Sequence, residues 1–448
     1  MKALDRLVRE TQAQARIPAL SAAVHRADRP LWSLAVGAEP AAAFRIGSVT
    51  KTFTAVLVMR ARDAGLLDLD DPIGRHLEVP AHGELTIRRL LSHTSGIQRE
   101  PYGDVWDTLV APDAPTLVAD LERAERVLPP ARRYHYSNLG VALLGLAVAR
   151  LRGGTWGEVL ADEVLGPLGL TDTSVARPAS ATTGYLVDVY SDAARAEPPM
   201  DFGAVGPAAQ LWSTAADMAK WGAFLADPAA VDPAGAVLAP ATLEEMRWPV
   251  TTTDQGLWAV GFGLGLILVP RGERVVHVGH DGAMPGFLAG VYGRPRALTG
   301  QPGPAGFGAA VLGASGTALE TVELPHKLLA AAVENDPAEI EPWTPGEPAP
   351  EAYRSVLGRW WSEGFEHVFS WHDGALRSRN ALSPAGVPPA VFRPSADNPD
   401  ILRTVSGREV GELLRLTRDA DGRVVRMHWA TYRFTRDQQT FEGHSFTA

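Results

Sequence analysis

A chain of 448 residues with 46% hydrophobic content holds more than one core usually organises, so two domains are expected. Its 42 basic against 52 acidic residues give a net charge of -10, which sets aside nucleic acid and anionic membrane as main partners and favours a small or neutral substrate. The absence of cysteine removes disulfides, thiolate metal sites and cysteine nucleophiles together.

In chain order, MKALDRLVRETQAQARIPAL reads as an amphipathic helix with charges throughout. It lacks the basic stub, apolar run and small-residue cleavage site of a secretory leader, and no later apolar run reaches bilayer length, so a soluble cytoplasmic protein is expected. SAAVH and LWSLAVG read as strands. FRIGSVTKTFTAVLVMRARDAG opens at Ser48 and keeps a helical period to Gly65, a predicted C-cap, which puts Ser48 and Lys51 one turn apart on one face. RRYHYSNLGVALLGLAVAR predicts an apolar helix capped by Ser137 or Asn138, with Tyr136 just ahead of it. GFGLG (Gly261 to Gly265) lies in a β-like run with no helix after it and is not a dinucleotide loop. In ERVVHVGHDGAMPGFLAGVYG, His280, Asp281 and Gly282 end one strand before the next begins. The proline- and acid-rich stretch that follows predicts a boundary: a first domain over 1–335, a linker over 336–352 and a second domain over 353–448. The first domain reads as mixed α and β. The second reads as mostly strand, with Asp373-Gly374 and Asp421-Gly422 as hairpin turns, so that the HDG of His372 to Gly374 is a turn.

Ser48 and Lys51 are the first chemical candidates. A serine hydroxyl needs a base within hydrogen-bond reach, and a lysine serves only when burial or neighbouring cations lower its pKa by about three units, roughly 4 kcal/mol of ionisation free energy. Arginine cannot serve at all. Of the 42 basic residues only Lys2, Lys51, Lys220 and Lys327 are lysines, so a chain built on arginine keeps a lysine where a removable proton is needed. For Tyr136 and Asn138 two readings stand: a packed ring with a helix cap, or polar groups projecting from a loop beside Ser48. His277 and His280, three apart on a strand, point to opposite faces, which excludes joint metal ligation; no metal and no cofactor are expected. DLDDP (Asp68 to Pro72) has calcium-like acidity without the rest of an EF-hand loop and reads as a turn.

Ser48-Val49-Thr50-Lys51, Tyr136-Ser137-Asn138 and His280-Asp281-Gly282, in that order, resemble the three boxes of the penicillin-binding protein and class C β-lactamase type of serine hydrolase. LLSHTSGI (Leu90 to Ile97) and LWSTAADMAKW (Leu211 to Trp221) are similar to further segments of that family. The resemblance covers about residues 5 to 335. It implies a β-lactamase-like α/β (α+β) domain, an antiparallel sheet flanked by helices with an all-α subdomain, followed by a small all-β lipocalin-like domain.

For the site, the resemblance implies Ser48 as the acylated nucleophile, with Lys51 and Tyr136 sharing the general-base work. Asn138 would hold the substrate's amide carbonyl, the backbone N–H groups of Ser48 and Ala283 would form the oxyanion hole, and Gly282 would let the strand approach the acyl group. His280 would replace the lysine of the third box, an imidazole neutral or charged with pH, which puts β-lactam hydrolysis in doubt. Asp281, Gly282 and an arginine of the last hairpin, Arg433 or rather Arg436, are the expected substrate contacts. The nearest likeness is to penicillin-binding-protein-type thioesterases that cyclise nonribosomal peptides, with a peptidyl carrier protein as one source of the thioester. An intracellular esterase, amidase or D-peptidase is the alternative, and an inactive binding module is the second.

Overall fold

The computed structural model describes residues 1–27, 29–130, 133–254, 256–272, 275–295, 306–337, 342–384 and 387–445. They form two compact units, the first of residues up to 337 and the second of residues from 342 on. Of the expected linker, residues 338–341 lie outside the described residues, and 342–350 carry neither helix nor strand.

The first unit is built on an eight-stranded antiparallel sheet. Its strands are β1 (Leu20–Arg26), β2 (Arg29–Val36), β3 (Thr251–Thr252), β4 (Gly261–Phe262), β5 (Ile267–Pro270), β6 (Val276–Met284), β7 (Phe287–Arg294) and β8 (Phe307–Gly313), in the order β2-β1-β8-β7-β6-β5-β4-β3. The central strands are buried on both faces, so β8 reads FGAAVLG without polar alternation. One face carries the terminal helices, α1 (Lys2–Gln14) and α5 (Glu320–Asn335), which bury Leu4, Val8, Leu324 and Leu328 against it.

The other face carries the helical layer, with α2 (Thr50–Asp63), α3 (Asn138–Arg152) and α4 (Ala215–Ala226). Helix α2 is buried nearly all round, so its polar side chains need internal partners. Thr52 Oγ1 donates to Val49 O (2.7 Å) and accepts from Trp221 Nε1 (2.8 Å), Thr54 Oγ1 donates to Pro207 O (2.7 Å), and Phe53 stacks on Trp221. The helix ends at Asp63, slightly before the expected point; Gly65 follows at φ +71°, where only a residue without Cβ is unstrained. No helix among the described residues is long and apolar enough to cross a membrane.

The second unit is an eight-stranded up-and-down sheet from β9 (Gly358–Ser362) through β10 (Phe365–His372), β11 (Ala375–Asn380), β12 (Ala390–Pro394), β13 (Ile401–Ser406), β14 (Leu413–Arg418) and β15 (Val424–Trp429) to β16 (Tyr432–Phe434), each strand pairing with the next. Trp361 and Thr435 exchange backbone hydrogen bonds of 2.8 and 3.0 Å, joining the ends into a nearly closed, lipocalin-like barrel. Trp360, Phe369, Phe392, Met427 and Phe434 fill its core. The second HDG is a hairpin turn: His372 pairs with Ala375 across Asp373 (φ 51°) and Gly374 (φ 69°), both left-handed as a type I′ turn requires.

Candidate active site

Ser48 sits in a short 3-10 turn (Gly47–Val49) that runs straight into α2, so residues three apart lie above one another. Lys51 is 2% exposed, and its Nζ shares a 3.0 Å hydrogen bond with Ser48 Oγ and donates to Ala208 O at 2.8 Å. Burial pushes the Lys51 pKa well below the usual lysine range; Arg99 lowers it further and Glu100 opposes the shift. The Tyr136 hydroxyl hydrogen-bonds Ser48 as well, and desolvation raises that phenol's pKa. Its ring packs close to both basic side chains, with Lys51 Nζ and Arg99 Cζ each 4.7 Å from the centroid.

Ser137, not Asn138, caps α3, accepting from Gly140 N at 2.9 Å. Asn138 is thereby free for the site, and the reading of it as a cap is corrected. Its Nδ2 faces Glu100, at 2.8 Å from Oε1 and 3.0 Å from Oε2, and since a carboxylate only accepts, this fixes which way the amide points. Asn138 Oδ1 is left buried without a hydrogen-bond partner. The atom turned away from its anchor is thus an acceptor, whereas holding a substrate carbonyl requires a donor.

His280 faces the same site from β6. It is 3% exposed, its ring centroid 6.1 Å from that of Tyr136. Burial above all, with the neighbouring Lys51, lowers its pKa to about 3, which favours the neutral imidazole. Nδ1 lies 2.6 Å from Asp281 O, which can only accept, so Nδ1 carries the proton and donates. Nε2 is then a bare acceptor, buried and without a partner.

Two glycines let the strand and the serine turn meet. A Cβ on Gly282 would stand 1.9 Å from Ile46 O and 3.3 Å from Ser48 N; one on Gly47 would stand 2.6 Å from Ala283 N. The backbones of Ser48 and Ala283 therefore come together at one wall of a cavity of about 250 Å3, which Arg99, Glu100 and Asn138 also line.

Of the expected substrate contacts, Asp281 is turned away from Ser48 and the two arginines are engaged within their own unit. Asp281 points to the opposite face of the sheet, where Tyr292 Oη donates to Oδ1 at 2.9 Å; strand alternation puts it there once His280 and Gly282 face Ser48. Arg436 is committed within its own unit, donating to the carbonyls of Arg359 (2.8 Å), Leu357 (3.1 Å) and Ser355 with its guanidinium over Trp360. Arg433 likewise donates to Thr440 O and Phe441 O. The residues that sequence reasoning missed are Arg99 and Glu100, joined by a 3.3 Å ion pair, and buried His93, whose Nδ1 accepts from Ser137 N at 3.2 Å.

Asp281 carries a pH prediction. Desolvation raises its pKa from 3.8 to about 6, so between these values the folded chain binds more protons than the unfolded one, and stability falls as pH rises through that window. Asp281→Asn, which keeps the acceptor for Tyr292, is expected to melt above wild type at pH 8, with the gap closing by pH 4 in parallel thermal scans.

The sequence pattern of the Beta-lactamase family matches residues 4–332, and that of DUF7586, a domain of unknown function, matches residues 349–436. Penicillin-binding protein 4 of Amycolatopsis lactamdurans is 32% identical over 260 residues, 54% of this chain and 66% of that protein. The matched stretches span 40%, 66% and 48% of the first three curated relatives, less than two thirds of each. SurE has a similar fold (TM-score 0.60, 24% identity, 97% of this chain and 98% of that one). So does the D-amino acid amidase of Ochrobactrum anthropi SV3 in complex with L-phenylalanine amide (TM-score 0.61, 22% identity, 75% and 99%). With a family pattern running through nearly the whole first unit, over the turn that holds Ser48 and the strand that holds His280, the chain belongs to the beta-lactamase family, whose members are serine hydrolases.

Proposed function

We propose that the protein is an acyl-transfer enzyme that carries its acyl group on Ser48 and passes it to an amine, releasing a peptide from a thioester as a head-to-tail macrolactam. The observation that carries the acyl-transfer part is the 3.0 Å contact between Ser48 Oγ and a buried lysine whose pKa burial pushes down. In the first step Lys51 takes the Ser48 proton, Oγ attacks the thioester carbonyl, and the Ser48 and Ala283 N–H groups hold the oxyanion, each worth about 3 to 4 kcal/mol of barrier. The thiolate leaves with a proton returned through Lys51 or Tyr136. In the second step the peptide's N-terminal amine attacks the ester, its proton passes to the Tyr136–Lys51 pair, and Ser48 is regenerated.

The amine as acceptor is supported by the two bare atoms at the site. His280 Nε2 and Asn138 Oδ1 are buried acceptors that N–H groups of a peptide or an amine would satisfy. A D-residue at the acylating end is supported by the neighbours of similar fold, which include SurE with D-Leu and a D-stereospecific amidohydrolase from Streptomyces sp.. The same neighbours favour the second reading, in which water replaces the amine and an ester, an amide or a D-peptide is hydrolysed to the acid. A peptidyl carrier protein is the proposed thioester donor.

Intact-mass spectrometry separates these readings. Incubated with peptidyl thioesters ending in a D-residue, wild type is expected to gain the acyl mass and release cyclic product, while Ser48→Ala gains nothing. Linear acid alone would leave the hydrolase, and no adduct with any L- or D-terminated donor would overturn acyl transfer itself.

A further inference from the structure

A second cavity, of about 760 Å3, opens in the helical layer and shares no lining residue with the Ser48 cavity. The turn Gly206–Ala209 stands between them: Gly206 and Pro207 line the larger cavity, and the Ala208 carbonyl holds Lys51. The larger cavity's walls are mainly apolar, with Leu146 and Ala149 of α3 facing Val175 and Trp212.

Beside Thr155, Gln210 and the Asp201 carboxylate, its lining carries N–H donors in want of an acceptor. Arg45, 5% exposed, donates to Met200 O (2.5 Å) and Gln210 Oε1 (3.3 Å), both neutral, while its Nε is buried without a partner. Asp201 lies near enough to favour the charged guanidinium, yet burial outweighs it and lowers the Arg45 pKa to about 10. Trp156, 8% exposed, likewise leaves its indole N–H buried and unpartnered. Arg177, exposed at the rim, lies 5.6 Å over the Trp212 ring that Arg45 approaches to 5.3 Å. Two guanidinium groups against the one carboxylate of Asp201, two unused N–H donors and an apolar wall together describe a ligand with an anionic acceptor at one end and hydrocarbon behind it.

We propose that this cavity binds a small apolar carboxylate, its oxygens accepting from Arg45 and the neighbouring indole N–H, its charge facing Arg177, and its chain lying against Leu146, Ala149 and Val175. The ligand is separate from the acyl donor and does not require the nucleophile.

Calorimetric titration of the full chain carrying Ser48→Ala with sodium octanoate tests this whatever the fate of the acyl-transfer reading. Saturable binding is expected, about tenfold or more tighter than for 1-octanol. Ala149→Phe, which fills the cavity, and Arg177→Glu, at an exposed position, are each expected to weaken it by about tenfold or more with unchanged circular dichroism. Should Ala149→Phe fail to fold, Arg177→Glu decides. The proposal is overturned if octanoate gives no saturable heat, if octanol binds as tightly, or if folded variants bind octanoate as wild type does, which would place it in another part of the chain.

Discussion

Lys51→Met is expected to slow acylation by about 10²- to 10⁴-fold, the range that a positioned base contributes, while making the protein more stable. Both effects come from one fact: the amine is buried and its neutral form is favoured. A neutral lysine has two N–H donors and one lone pair. Ala208 O can only accept, so it takes one N–H; the second faces Ser48 Oγ at 3.0 Å, and turning the lone pair towards that oxygen lets the amine take the hydroxyl proton of Ser48. The stability effect has a definite sign. In the unfolded chain Lys51 titrates at about 10.5, and in the folded chain well below that, so under pH 10.5 the unfolded state binds more protons and wild type loses stability as pH falls. Methionine has no proton to take up. Its advantage in denaturant melts should grow from pH 10 towards pH 7 and level off below the folded pKa of Lys51. Lys51→Arg is the sharper control, since a guanidinium keeps the reach and cannot give up its proton. Acylation by Lys51→Arg at the wild-type rate, followed by intact mass, would remove Lys51 as the base.

The parts of the site that were legible in the sequence are those where chemistry sits in short spacings. Ser48 and Lys51 are three apart on a helix start, and the chain's scarcity of lysine marks the second of them. The two-residue turn at Asp373-Gly374 was legible because only glycine or a tolerant aspartate accepts left-handed backbone there. Asp281 was readable and misplaced: the alternation that sends His277 and His280 to opposite faces also sends Asp281 away from His280. Glu100 and Arg99 were not readable, because nothing local joins them to Asn138. The tie is made when Asn138 N and Leu139 N donate to Arg99 O, at 2.7 and 3.2 Å, on the approach to α3. Arg436 shows the limit for charge: it was expected on the edge of the last hairpin, but it lies just past β16, where three carbonyls of its own unit hold it. In the fold, period-two alternation marked the barrel strands, whereas the β6–β8 strands, buried on both faces, gave little pattern.

Gly282→Ala is expected to cost about 1–3 kcal/mol of stability by overpacking and about 10²–10³-fold in acylation, the second figure being that of one lost oxyanion donor. The added methyl would lie 1.9 Å from the Ile46 carbonyl oxygen, a backbone atom that cannot rotate away. Relief comes only by parting β6 from the turn before α2, and those two segments carry the Ala283 and Ser48 N–H groups. The matching glycine of the other HDG is the control. Gly374 has φ 69° and nothing within 4 Å of an added Cβ, so Gly374→Ala should cost roughly 1–2 kcal/mol of backbone strain and leave acylation unchanged. Both variants are destabilised by similar amounts, which makes activity the reading that separates them. Thermal melts paired with single-turnover acylation test it: wild-type acylation in Gly282→Ala would mean that the close approach of β6 to Ser48 is packing alone, and that Ala283 plays no part in holding the oxyanion.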